Sequence, residues 1–149
     1  MSDKYLEDFV VGQILGSGRV TIDVAGIKAF AAAYDPQPFH QDDEAAARSI
    51  FGGLAASGWH TAALTMRLLV GSELKPAGGV VGAGVDELRW PLPVRPGDQL
   101  QAESEIIEVR ASKSRPMQGV VRARVTTRNQ NGETVQVFVA TFIVPRRPA

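Results

Sequence analysis

The chain has 149 residues, sixteen basic and sixteen acidic side chains, no cysteine, 44% hydrophobic residues and 7% aromatics, which suits a single domain over residues 1–149. Zero net charge with scattered basic residues leaves no electrostatic footprint for nucleic acid, and without cysteine there is no disulfide, thiol nucleophile or zinc-thiolate site. No run of about 18 apolar residues offers a membrane span and the polar start, Met1-Ser2-Asp3-Lys4, lacks a signal peptide's apolar stretch, so a cytoplasmic protein with neither nucleic-acid nor membrane partners is expected. Two histidines supply a metal site poorly, so catalysis here must use carboxylates, His40, His60, hydroxyls or backbone dipoles.

Gln13 to Thr21 reads as a first strand, with Gly16 and Gly18 marking a bulge or a close backbone approach. Asp23 can cap a helix in which Ile27, Phe30, Ala31 and Tyr34 form a stripe facing the core, and Pro36 stops it. Asp42 or Asp43 can cap a short second helix through Arg48, broken by Phe51-Gly52-Gly53. Ser57 caps a third from Gly58 to Val70, apolar on nearly every side, which therefore needs to be surrounded. Four long strands come next, Val80–Trp90, Gln99–Arg110, Gly119–Asn129 and Thr134–Val144. Pro96-Gly97-Asp98 and Ser112 to Pro116 supply turns, and Asn131-Gly132 is a type I′ hairpin signal. Val120, Arg122, Val125 and Thr127, and then Val135, Val137 and Val139, show the alternation that leaves one sheet face apolar. Long antiparallel strands wrapped on one buried helix make an α+β domain, and Arg146 to Ala149 are expected to fray.

Tyr34-Asp35-Pro36-Gln37-Pro38-Phe39-His40 is the first informative stretch. Two prolines within three residues stiffen it, and an Asp-Pro turn can return Asp35 and His40 to one place, where a carboxylate and an imidazole can hold a water. The same residues also read as a plain turn with a polar flanking histidine. Phe51 to His60 is the second: small residues lead to a helix start, where free backbone N–H groups and the positive end of the dipole can meet an oxyanion. Packing of helix on sheet asks for the same small residues. His60, in the first turn of that helix, reads as a packed, neutral histidine because the dipole opposes its protonation.

Together, Asp35-x-Gln37-Pro38-x-His40 and the Ser57-Gly58 start of an apolar helix resemble the hydratase motif of the MaoC-like dehydratases, the (R)-specific enoyl-CoA hydratase group. Asp8-Phe9, Val11-Gly12, Pro93-Val94-x-Pro96-Gly97-Asp98 and Asn129-Gln130-x-Gly132-Glu133 extend the resemblance over nearly the whole chain. It implies a hotdog fold, a long buried central helix wrapped by a curved antiparallel sheet, with an overhanging helical segment carrying the Asp/His motif. It further implies Asp35 and His40 as the acid-base pair and Gly58 as the oxyanion donor. Gln37, Ser57 and Trp59 fall beside the substrate. Tyr34, Gln37, Ser57 and Met66 stand where the family usually has Gly, Asn, His and, in some members, Ser.

The implied activity is reversible hydration of a trans-2-enoyl-CoA in fatty-acid metabolism, without metal or redox cofactor, coenzyme A or phosphopantetheine entering as part of the acyl-thioester substrate. Lys113 and Arg115, in the turn Ser112 to Arg115, offer charge for the coenzyme A phosphates, and equally suit a solvated loop. An acyl-CoA thioesterase is the alternative on this fold, although Gly58 to Val70 contains no Asp or Glu; a non-catalytic acyl-thioester-binding module is the other. Long strands with unpaired edges suggest a homodimer or higher even homo-oligomer.

Overall fold

β-branched runs and Gly/Pro punctuation produce a sheet of five antiparallel strands. In the computed structural model, which describes residues 3–149, these are β1 (Ile14–Thr21), β2 (Val81–Arg89), β3 (Gln99–Ala111), β4 (Gln118–Arg128) and β5 (Thr134–Pro145). Their order across the sheet is β1-β3-β4-β5-β2. Four helices lie between β1 and β2: α1 (Val24–Tyr34), α2 (Pro38–Gln41), α3 (Asp43–Ala47) and α4 (Gly58–Val70). Among the described residues, no helix is long and apolar enough to cross a membrane.

Helix α4 buries Thr61, Thr65, Leu68 and Leu69 against the sheet's inner face, which presents Leu100, Ala102, Ile106, Val121, Ala123 and Val125. Its other face, with Trp59, Ala63, Met66 and Val70, is exposed, so the helix is not surrounded as its composition suggests. Five strands cover one side of a cylinder, and the rest of its apolar surface stays exposed. On α1, Ile27 and Ala31 are buried as the stripe requires, but Tyr34 lies outside, tilted against Phe30 at 5.0 Å between ring centres.

Two strand readings need correction. β5 turns Gln136, Phe138, Ala140, Phe142 and Val144 inward, the opposite parity to Val137 and Val139. Thr127 pairs with Gln136 but Arg128 pairs with Thr134, so Val135 is an extra residue, and this bulge reverses the alternation beyond it. The hairpin beside it is not type I′, which needs positive φ at both central residues. Only Gly132 has it (φ +75°), and the Gly132 N–H donates to Asn129 O at 3.0 Å. A three-residue loop with glycine in the left-handed position therefore replaces the two-residue turn.

The tail is also more tightly held than expected. Arg146 Nε and the Arg147 N–H donate to Glu7, at 3.0 and 2.8 Å, and Arg147 pairs with Asp8. Those bonds hold the Glu7 carboxyl down to about 2. They also neutralise the one adjacent basic pair near the C-terminus.

Candidate active site

The chain turns sharply between α1 and α2, at Asp35 to Gln37. Helix α1 ends at Tyr34 because Pro36 disfavours helical angles at Asp35, whose N–H still donates to Ala31 O at 2.9 Å. The Gln37 N–H then donates to Asp35 O at 2.8 Å, closing a tight turn around Pro36. Gln37 is extended, and Pro38 opens α2, where its fixed φ suits a first helical position. His40 sits in that short helix. Turn and helix together bring its Nε2 to 3.3 Å from Asp35 Oδ2.

Both members of the pair are held. The His40 Nδ1–H donates to Ala55 O at 2.6 Å; a carbonyl can only accept, so a proton is on Nδ1 and Nε2 is the ring nitrogen turned toward Asp35. The ring is buried, edge-on to Phe39 at 4.7 Å and near Phe51. Asp35 Oδ2 accepts from the Ser57 hydroxyl at 2.7 Å, and Oδ1 accepts from the Gln37 amide. Burial alone would raise the Asp35 carboxyl, but the bonds from Ser57 and Gln37 and the neighbouring His40 outweigh it and hold the group below the usual carboxylate value. Asp35 is thus an anion at neutral pH, with the His40 Nε2 beside it.

The segment leading into α4 is braced from two sides. The Ala55 N–H donates to Phe39 O at 3.2 Å and the Ala56 N–H to Val94 O at 2.9 Å. The Arg95 guanidinium donates to the carbonyls of Gly53 and Leu54, at 2.9 and 3.3 Å, and to that of Phe51. Ser57 caps the helix by accepting from the Trp59 N–H at 3.2 Å. Among the described residues none accepts from the Gly58 N–H, which lies at the positive end of the helix. Asp35, His40 and Gly58 all line a cavity of about 560 Å³, together with Trp59, Trp90 and the segment Pro91 to Val94.

Of the residues proposed from sequence, the structure brings Asp35, Gln37, His40, Gly58 and Trp59 to this cavity. Ser57 is fully buried, its hydroxyl engaged by Asp35 and the Trp59 N–H rather than offered to a ligand. Lys113 and Arg115 are not brought there. Their turn joins β3 to β4 at the end opposite the β4–β5 hairpin and Val135, roughly 30 Å away by strand rise. Sequence reasoning missed Trp90 and Arg95. A tryptophan leading into Pro91-Leu92-Pro93 and an arginine inside the Pro93 to Asp98 turn were the available signals, since loops on rigid scaffolds carry functional side chains.

His60 lies just outside this cavity, stacked on Phe30 with ring centres 4.7 Å apart and planes 4° from parallel. Its Nδ1 is buried with no hydrogen-bond partner among the described residues. Burial lowers its pKa from 6.5 against the pull of Asp23. The unfolded chain therefore binds a proton more readily than the folded one. Stability is complete above the unfolded value and falls as pH drops below it, by at most about 1.4 kcal/mol per pH unit. In thermal melts at pH 7.5 and 5.5, His60→Phe is expected to flatten this dependence. Equal slopes in the two proteins would show that another group carries it.

A carboxylate and an imidazole facing a free helix-start N–H across one cavity equip a protein for proton transfer beside a polarised carbonyl: an acid-base catalyst, built on an α+β hotdog frame. The family model for the MaoC like domain matches residues 10–129, and the chain belongs to the MaoC-like dehydratase family. It is 54% identical to the solved MaoC-like dehydratase of Rhodospirillum rubrum, with a TM-score of 0.94 over 98% of this chain and 99% of that one. The (R)-hydratase from A. caviae involved in PHA biosynthesis superposes with a TM-score of 0.73 at 26% identity, over 95% and 99% of the two chains. The 3-hydroxyacyl-thioester dehydratase Z of Mycobacterium tuberculosis is 34% identical over 90% of this chain and 86% of its own.

Proposed function

We propose that this protein is a hydro-lyase that adds water to a trans-2-enoyl-CoA and, in reverse, dehydrates the 3-hydroxyacyl thioester. The observation that carries this is the Asp35–His40 pair, fixed 3.3 Å apart and sharing a cavity with the unpartnered Gly58 N–H. The thioester carbonyl accepts from Gly58, and a water sits in the cavity against both Asp35 and His40. The water oxygen bonds to C3 while the C2–C3 π electrons move toward the thioester oxygen, where Gly58 and the helix end stabilise the enolate. The water proton passes to His40 Nε2, the ring nitrogen left free by Ala55. Asp35 accepts a hydrogen bond from the second water hydrogen, which stays on the new C3 hydroxyl, and so orients the nucleophile and balances the imidazolium. His40 then returns its proton to C2, so no net proton is gained or lost. The coenzyme A or pantetheine arm enters with the substrate, and the protein residues supply the acid-base chemistry.

Incubation with crotonyl-CoA tests the reading. Loss of the enoyl absorbance without thiol release is expected. Thiol release would show thioester hydrolysis instead, and saturable binding with neither change would show an acyl-thioester-binding protein.

We also infer a homodimer or higher even homo-oligomer. One edge of the sheet, β1, is covered by Glu73, whose N–H donates to Gly16 O at 3.0 Å and whose carboxylate accepts from the Gly16 N–H at 2.7 Å. The other edge, β2, is exposed almost throughout, with Val81 and Val85 in the open, and one face of α4 is bare as well. A second copy of the chain would cover both. Sedimentation should give an even assembly at micromolar concentration; a fully active monomer would overturn this.

A further inference from the structure

Trp90 comes directly after β2 and packs on the first residue of α4. A Cβ on Gly58 would stand 2.5 Å from its Cε2, 2.6 Å from Cδ2 and 2.7 Å from Cζ2. The indole lies directly on the glycine. Its Nε1–H donates to Gln136 Oε1 at 2.8 Å, Gln136 Nε2 donates to Thr65 Oγ1 at 3.0 Å, and the hydroxyls of Thr65 and Thr127 share a bond of 2.7 Å. Gln136, Thr65 and Thr127 are fully buried. Thr65 is seven residues beyond Gly58 and so near the same helix face, which places both anchors of the indole along α4.

The backbone serves this placement from both strands. In β2, Asp86 pairs with Val139 but Arg89 pairs with Val137, and Glu87 takes the left-handed φ of +55° in the extra residue. Such a bulge re-aims the side chains beyond it, here that of Trp90. In β5, the bulge at Val135 puts Gln136 on the inner face, where it reaches both Trp90 and Thr65. A buried polar chain is costly unless every member is satisfied, so turning the indole away would leave the Gln136 carbonyl unpaired.

We propose that Trp90 is a specificity-determining residue, a locked wall that limits the acyl group accepted beside Gly58. This rests on the protein's acting on acyl thioesters. With the carbonyl on the Gly58 N–H, the acyl carbons enter a space bounded by the indole, by Trp59 edge-on to it at 5.3 Å, and by Thr61 and Val135. A wall tied through Gln136 to the helix cannot yield by changing rotamer. Short acyl groups fit against it, and longer ones collide.

The test compares wild type, Trp90→Phe and Trp90→Leu, each checked by thermal melting. Kd is measured for butyryl-, hexanoyl- and octanoyl-CoA, and kcat/KM for the matching trans-2-enoyl-CoAs. Trp90→Leu is expected to raise the preference for octanoyl over butyryl, taken as the ratio of 1/Kd and as the ratio of kcat/KM, by about 10-fold or more in both measurements, the scale at which a pocket resolves a methylene group. Trp90→Phe keeps ring bulk but loses the donor, and should raise it by roughly 3-fold, less than one such group. Ratios unchanged in Trp90→Leu would overturn the proposal. If that variant melts early, unchanged ratios in Trp90→Phe overturn it. A chain-length limit in binding that moves with Trp90, in a protein that hydrates nothing, would overturn the hydratase reading and sustain the wall. Hydration with an unmoved chain-length profile would do the reverse.

Discussion

Asp35→Asn and His40→Gln should each lower kcat on an authentic enoyl thioester by about 10²–10⁴-fold, with KM and melting temperature little changed. Asparagine at 35 keeps an oxygen for the Ser57 hydroxyl and leaves the helix cap intact, but it loses the negative charge that orients the water and balances the imidazolium. Glutamine at 40 can still donate to Ala55 O, yet it has no lone pair able to take a proton near neutral pH. Because the two act on one water, the double variant should be little slower than either single one. Multiplicative losses would mean that Asp35 and His40 serve separate steps. Near-normal turnover in Asp35→Asn would remove the acid-base pair from the mechanism.

Gly58→Val should also cost about 10²-fold or more in turnover, the scale of losing one oxyanion donor. From sequence alone the reason is that a side chain hinders the carbonyl on its way to the N–H. The structure adds another: the position of the missing Cβ is occupied by the indole of Trp90, so valine must also displace that ring, an overpacking cost of about 1–3 kcal/mol. The two causes separate in Gly58→Ala combined with Trp90→Ala, which removes the collision but keeps the added methyl group. Turnover well below that of Trp90→Ala alone is expected, because the methyl group still crowds the oxyanion site. Equal turnover would make Gly58 a packing glycine and place the carbonyl elsewhere.

Most of the architecture was legible because its signals are local. Pro36, Ser57 and the Gly/Pro turns end and start elements through their own backbone preferences, and these place β1, α1, α4 and the last four strands to within a residue or so. Asp35 and His40 were legible for the same reason: five residues and two prolines put both in one short, stiff segment. The features that were missed depend on contacts distant in sequence. The bulge at Val135 shows only in its pairing with β4, Tyr34 faces outward although helical spacing puts it on the buried stripe, and the bare side of α4 reflects how much helix five strands can cover. Lys113 and Arg115 were assigned by charge, which carries no information about which end of a strand a turn occupies. Trp90 and Arg95 act across 46 and about 42 residues, on Gln136 and the Phe51 to Leu54 loop, and no periodicity encodes such a reach.

The order β1-β3-β4-β5-β2 also decides when the cavity can exist during synthesis. β3, β4 and β5 are joined by short turns and can zip up locally, but they leave the ribosome after β1, the helices and β2. The acid-base segment emerges early, with β1 still waiting for β3 and β2 waiting for β5. Both edge strands close large loops, the slow kind of contact in a folding chain. Until those strands are made, the nascent chain carries its reactive pair without a closed sheet beside it or a wall above Gly58. Only when Gln136 is made can Trp90 be fastened and the chamber close.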